Sequence, residues 1–152
     1  MDYARESIAS VWDEARDMTI AHVAEVGSLG AEGFAPKREM YDKLEAAGVA
    51  HVYTMRTTPI HEGLLGQLVG YAVFHLMPHH HYGGMWATQD AVYVLPEYRG
   101  GAAVRFMAWT DLAMKADGAK HVLRHSTIKK DYGRTLMRMG YRINEISFIK
   151  EL

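Results

Sequence analysis

The sequence predicts a single α/β domain over residues 1–152, with a sheet that is partly antiparallel, partly parallel and flanked by helices on both faces. Three observations carry that expectation. Two helical patterns precede three consecutive strand-like runs, and strand–helix–strand alternation follows them. The 152 residues, 49% hydrophobic and 23% charged, have the length and balance of one soluble core.

Taken in order, Ile8, Val11, Trp12, Ala15, Met18 and His22 recur at helical spacing, with Glu6, Asp13, Glu14 and Arg16 opposite, which predicts one long amphipathic helix over residues 3–26. Gly27, Gly30 and Gly33 mark a loop. Pro36 suits a first helical turn, and Met40, Leu44 and Ala47 form a stripe closed by Gly48, so a shorter helix is expected there. Residues 49–57, 67–76 and 86–95 are rich in Val, Tyr and Phe and are separated by Pro, Gly and His clusters, which predicts three strands of one sheet. Phe106, Met107, Trp109 and Leu112 restore the helical period over 103–115, with Gly118 as C-cap. A strand over 121–126, a helix over 130–139 and a final strand over 141–149 complete the chain.

With 17 basic and 18 acidic residues, the net charge of −1 gives no general surface for nucleic acid or anionic membrane. The lack of cysteine excludes disulfides, a thiol nucleophile and zinc–thiolate sites. Residues 1–10 carry acids and no apolar run of the signal-peptide kind, so a cytoplasmic location is expected. Exposed edge strands make a homodimer reasonable.

A ligand in such a sheet sits at the carboxyl ends of strands, where strand order switches. Val94, Leu95 and Pro96 end a strand, Arg99, Gly100 and Gly101 make a turn, and Ala102, Ala103, Val104 and Arg105 open a helix. Small residues there let backbone N–H groups approach an anion, the helix dipole adds positive potential, and Arg99 and Arg105 can supplement it. The alternative is a tight connection whose glycines satisfy backbone geometry alone.

The pattern Val-x-Pro-x-Tyr-Arg-Gly over 94–100, followed by a helix and later by Gly140-Tyr141, resembles motifs A and B of the GNAT N-acetyltransferases. Leu68-Val69-Gly70-Tyr71 resembles that fold's third strand, and His81-Tyr82 with Asp90 and Tyr93-Val94 resembles a phage and bacterial subgroup, so the likeness spans about residues 66–152. The resemblance implies transfer of an acetyl group from acetyl-CoA to an amine by direct attack in a ternary complex, in the host cytoplasm if the chain is phage-encoded. It implies a V-shaped gap where the strand ending at Leu95 splays from the strand ending near Ser126, with the backbone of Tyr93, Val94 and Leu95 bonding pantetheine and residues 99–105 holding pyrophosphate. Ala102 and Val104 depart from the family's two small turn residues, and β-branched Val104 resists a strained turn. A one-residue shift that makes Gly101 the turn glycine would restore the site. The alternative reading is a non-catalytic module of the same fold, a binding or virion-associated partner, which Ala102, Val104 and Leu136 favour.

Amine acetylation needs a base for the amine and an acid for the departing thiol. Period two places Thr88, Asp90, Val92 and Val94 on one face, and related enzymes keep a carboxylate near Asp90 as base. The alternative for Asp90 is a structural bond to backbone or to a neighbouring Tyr. The resemblance gives the acid to a Tyr at the position occupied here by Leu136, so Tyr132, one helical turn earlier, and His125 with Ser126 are the candidates, the alternatives being a surface or packing role for each and protonation by water. The resemblance places His81-Tyr82 beside the acceptor; a solvated hairpin tip is the other reading. His22 and Glu25 share a helix face, and the resemblance brings them to the acceptor as well; an ordinary capping or surface pair is the other reading. No metal site is expected of His79-His80-His81, because neighbours in an extended loop point to opposite sides and no acidic ligand sits at a recognisable spacing.

Overall fold

Among the described residues five strands build the sheet in chain order: β1 (Asp2–Glu6), β2 (Ala50–Arg56), β3 (Leu68–Pro78), β4 (Met85–Val94) and β5 (Ala119–Leu123). β1 to β4 are antiparallel neighbours and β5 joins β4 in parallel, the mixture the sequence predicts. The computed structural model describes residues 1–27, 34–59, 61 and 63–150.

Every residue of β2 is buried, because helices cover both faces of the sheet. On one face α4 (Gly101–Ala116) lays Phe106 and Met114 over Tyr53, Met55, Phe74 and Val94. On the other, α1 (Ile8–Val11) packs Ile8 and Val11 on Ala50 and Val52, with Tyr41 and Leu44 of α3 (Arg38–Ala46) beside them. The same face carries α2 (Arg16–Val26), whose Met18 rests on Leu68, Tyr71 and Tyr93. Among the described residues no helix is long and apolar enough to cross a membrane.

Residues 3–26 are not one helix: Asp2–Glu6 pairs along β2, Tyr3 packs its ring 5.5 Å from that of Phe106, and Ser7 caps a new helix by accepting the Ser10 N–H at 3.1 Å. The helical stripe begins at Ile8, and the residues before it follow an edge contributed some fifty positions away. Gly27 is the C-cap of α2, while Gly30 and Gly33 lie outside the described residues.

The C-terminal third is also shorter in regular structure than predicted. β5 stops at Leu123, α5 covers Gly133–Arg138, and residues 141–150 form no strand. Alternation specifies a strand only where an edge supplies hydrogen-bond partners, and the described residues pair none with this segment, so Ile143 and Phe148 remain 79% and 93% exposed.

β1 is held by charge as well as by its ladder. Arg56, its side chain 7% exposed, donates from Nε to Glu6 at 2.7 Å, from Nη2 to Glu14 at 2.8 Å and from Nη1 to the Gly66 carbonyl at 3.0 Å. Replacing Arg56 by Met leaves the half-buried Glu6 and the more exposed Glu14 without their cation, so Arg56→Met should lower stability by about 1–3 kcal/mol in urea denaturation.

Candidate functional site

β4 pairs with β3 as far as Val94, but with β5 only over Met85 to Thr88. Residues 89–94 therefore present an open strand edge on the β5 side, about 20 Å long at ~3.3 Å per residue. This is a fork whose vertex lies between Thr88 and Leu123 and whose mouth lies at the end of β4. The Leu95 N–H turns to Val69 on β3 at 2.9 Å, so the Val94 carbonyl faces the fork, where Arg99 Nε donates to it at 2.9 Å.

Beyond the mouth, Pro96–Tyr98 makes a single 3-10 turn and the chain enters α4 through Gly100. Gly100 has φ 80°, a conformation that L side chains resist, and is therefore the turn glycine; Gly101 is already helical. The shift to Gly101 considered from sequence is not adopted. Val104 is relieved of a strained turn, because it lies inside the helix and donates its N–H to the Gly100 carbonyl at 3.1 Å. The N–H groups of Gly101, Ala102 and Ala103 belong to the first turn, which has no intrahelical acceptors for them. Arg105 folds back over that turn: a Cβ added to Gly101 would stand 3.4 Å from its Nη1.

At the vertex, side chains replace the missing ladder. A bulge between Val73 and Phe74 pairs Ala91 and Gln89 across β3 and leaves Asp90 as the extra residue. The predicted face of Thr88, Asp90, Val92 and Val94 is thereby broken: Val92 and Val94 join the core under α4, whereas Asp90 is exposed on the other face and accepts the Tyr41 hydroxyl at 3.0 Å. Gln89 points inward. Its Oε1 accepts Arg124 Nη1 at 3.1 Å and its Nε2 donates to Tyr132 Oη at 3.1 Å. Tyr132 in turn donates its hydroxyl to the His125 carbonyl, so His125 contributes backbone here while its ring is exposed. Burial raises the Tyr132 phenol above its ordinary range, against a lowering by Gln89 and Arg124. Leu136 is buried and apolar.

Asp90 belongs to a cluster that sequence reading only partly assembled. His22 Nδ1 lies 3.0 Å from Tyr71 Oη and its ring centroid 5.3 Å from that of Tyr93. Burial holds His22 below its ordinary value, while Glu25 and Asp90 pull it upward. Burial also lifts the Tyr41 phenol, with Asp90 adding to the shift, and pushes Tyr71 up to about 12. Tyr41, Tyr71, Gln89 and Arg124 carried no site role in the sequence analysis. Arg124 had a usable signal, a lone arginine closing the apolar run Val122-Leu123.

Glu25 leaves His22 for the fork mouth. Arg99 grips it with Nη1 and Nη2, both at 2.7 Å, and Lys130 Nζ reaches Oε1 at 2.8 Å. His81 and Tyr82 are not brought to this cluster. They sit in the β3–β4 hairpin at the opposite end of β4, where Tyr82 is 77% exposed and the His79 ring packs 4.2 Å from Trp86. From Met85 to Asp90 alone is roughly 17 Å along the strand.

The Glu25 contacts have a pH signature. The Arg99 hydrogen bond, followed by Lys130, brings its carboxyl from 4.5 to about 2. A carboxyl lowered on folding stabilises the fold above its unfolded value, and that stability is lost as pH falls from 4.5 toward about 2. Glu25→Gln should flatten the stability loss in that window and leave the difference from wild type constant above it, as read by urea denaturation at a series of pH values.

No protein-family model and no curated protein matches the sequence. Solved structures do share its fold. A ribosomal-protein-alanine N-acetyltransferase from Brucella melitensis matches with TM-score 0.68 at 18% identity over 100% of both chains. An acetyltransferase from Trypanosoma brucei matches with TM-score 0.68 at 14% identity over 99% of each. A glucosamine-6-phosphate N-acetyltransferase from Arabidopsis thaliana matches with TM-score 0.66 at 14% identity over 99% of this chain and 97% of that one. From the forked β4–β5 pair to the helix entered through Gly100, the chain therefore has the fold on which these acetyltransferases are built.

Proposed function

We propose that the protein is a cytoplasmic N-acetyltransferase that takes its acetyl group from acetyl-CoA and gives it to an amine by direct attack in a ternary complex. One observation carries this reading: an open strand edge over residues 89–94 leads straight to a glycine turn and the first-turn N–H groups of a sixteen-residue helix, which have no intrahelical acceptors. An amide-bearing chain can add to that edge as a strand does, and a pyrophosphate suits the helix start. Tyr93, Val94 and Leu95 are assigned the pantetheine arm, and Gly100, Gly101, Ala102, Ala103, Val104 and Arg105 the phosphates. Arg99 shapes the mouth through Val94 and Glu25. Acetyl-CoA supplies an activated thioester, which the chain, lacking cysteine, has no need to make covalently.

Asp90 and Gln89 are adjacent but project to opposite faces, so the vertex has a carboxylate on one side and, through Gln89, a phenol on the other. Asp90 takes the proton of the attacking amine, directly or through water, and Tyr41 fixes its orientation. Tyr132 returns a proton to the departing sulfur. The acceptor is assigned to the face of His22, Tyr41, Tyr71 and Asp90, with His81 and Tyr82 outside it.

Acetyl-CoA should raise the melting temperature of the wild-type protein, and Gly100→Glu should abolish that rise, because the new side chain is strained at φ 80° and sets a carboxylate against the phosphates. A rise that persists in Gly100→Glu places the binding site elsewhere, and no rise in wild type removes the reading. Asp90→Asn should lower turnover by about 10²- to 10⁴-fold with acetyl-CoA affinity retained. A stable, fully active variant takes Asp90 out of the mechanism.

A further inference from the structure

We propose that Gln89 and Arg124 are positioning residues for Tyr132, with Arg124 fixing which end of the Gln89 amide faces the phenol and that amide holding the phenol as the acid for the leaving thiol. This rests on the acetyl-transfer reading given above.

An arginine has donors and no acceptor, so the carbonyl end of Gln89 must face Arg124. With Oε1 accepting Nη1 at 3.1 Å, Nε2 donates to Tyr132 Oη at 3.1 Å and reaches the His125 carbonyl at 3.4 Å, while the phenol lies farther from Oε1, at 3.4 Å. The amide cannot flip without setting its NH₂ against the guanidinium. Arg124 itself cannot turn: Nε donates to Tyr141 Oη at 2.9 Å, and Nη2 to the Met107 carbonyl at 2.9 Å, Thr110 Oγ1 at 2.7 Å and Asp111 Oδ1 at 2.6 Å. Rigid α4 thus sets the direction of a hydrogen bond at the vertex of the fork.

That bond has a chemical consequence. As the amine nitrogen bonds to the acetyl carbon, the carbon–sulfur bond breaks and its electron pair goes to sulfur. The Tyr132 proton moves to that sulfur, the amine proton leaves through Asp90 or water, and the phenolate regains a proton from solvent. The Gln89 N–H stabilises the phenolate at the moment the proton leaves, and it holds the oxygen in place while the hydroxyl turns from the His125 carbonyl toward sulfur. The charged and titratable groups around the phenol are Arg124 just past the end of β5, with Asp111 of α4 and Tyr141 behind it, and His125 and Asp131 on its own loop. Arg124 and Gln89 both oppose the upward push that burial gives the phenol.

Two variants separate this role from simple filling of the fork. Gln89→Glu keeps volume and the acceptor for Arg124 but removes the N–H; Gln89→Met keeps volume and removes both bonds. In each, kcat should fall about 10- to 100-fold while the KM for acetyl-CoA stays within about twofold. The ζ-carbon NMR resonance of Tyr132, assigned by its loss in Tyr132→Phe, should shift, and its titration should move to higher pH. An active wild type whose kcat or Tyr132 resonance is unmoved by both variants overturns the positioning role alone. A wild type that binds no acetyl-CoA overturns the underlying reading and this role with it.

Discussion

The site depends on one buried cation. The Arg124 side chain is wholly excluded from solvent, lying 5.0 Å from the Phe74 ring centroid and 5.8 Å from that of Tyr141. A charge in such a place is tolerable only when its donors are met, and Arg124 meets them with groups from β4, α4 and the segment after α5. It sits one residue past the last β4–β5 pair, so it ties the two strands together through side chains where their backbones part. Withdrawing it would cost more than one ion pair, because Gln89, Thr110, Asp111 and Tyr141 would all lose a partner in a packed interior.

The bulge at Asp90 complements that tie. In a regular strand, Gln89 and Ala91 would share a face and Asp90 the other, with strict alternation continuing beyond. One extra residue resets the phase, so that Val92 and Val94 go under α4 while Tyr93 faces α2. The result is a strand that is core on both faces at its end and polar at its middle. Adjacent residues there serve opposite sides, Asp90 toward Tyr41 and Gln89 toward Tyr132, as alternation requires, and the bulge brings Val92 and Val94 beyond them to the Gln89 side.

What was legible in the sequence was what local chemistry decides. The stop at Pro96, the turn at Gly100 and the helix behind it follow from neighbours in the chain, and so does the Gly118 cap with its φ of 97°. What was not legible depended on distant partners. Tyr3 and Glu6 fit a helical stripe as readily as a strand until β2 presents its edge and Arg56 its charge. The segment after Gly140 has strand alternation but no described partner. The phase slip at Asp90 is set by pairing with β3, to which period two in a single strand is blind. Arg124 stood between, since a single arginine ending an apolar strand signals a buried charge without naming its partners.

Charge at the fork mouth shows how an anion could be held there. Arg99 is one of the two arginines that sequence alone would assign to a phosphate, yet both of its terminal nitrogens are engaged by Glu25, whose other neighbour is Lys130. Two cations around one carboxylate leave a single net positive charge, and Lys130, half exposed, is the more hydrated of the pair. A ligand anion at the mouth would compete with Glu25 for Arg99, losing an ion pair for each one it makes. Among the described residues the N–H groups at the start of α4 have no such internal competitor, and neither does Arg105 beside them, whose side chain is exposed. Under the acetyl-CoA reading, phosphate binding therefore draws mainly on backbone and helix dipole, with Glu25 and Arg99 acting as the brace that keeps the end of β4 and the β5–α5 loop at a fixed separation.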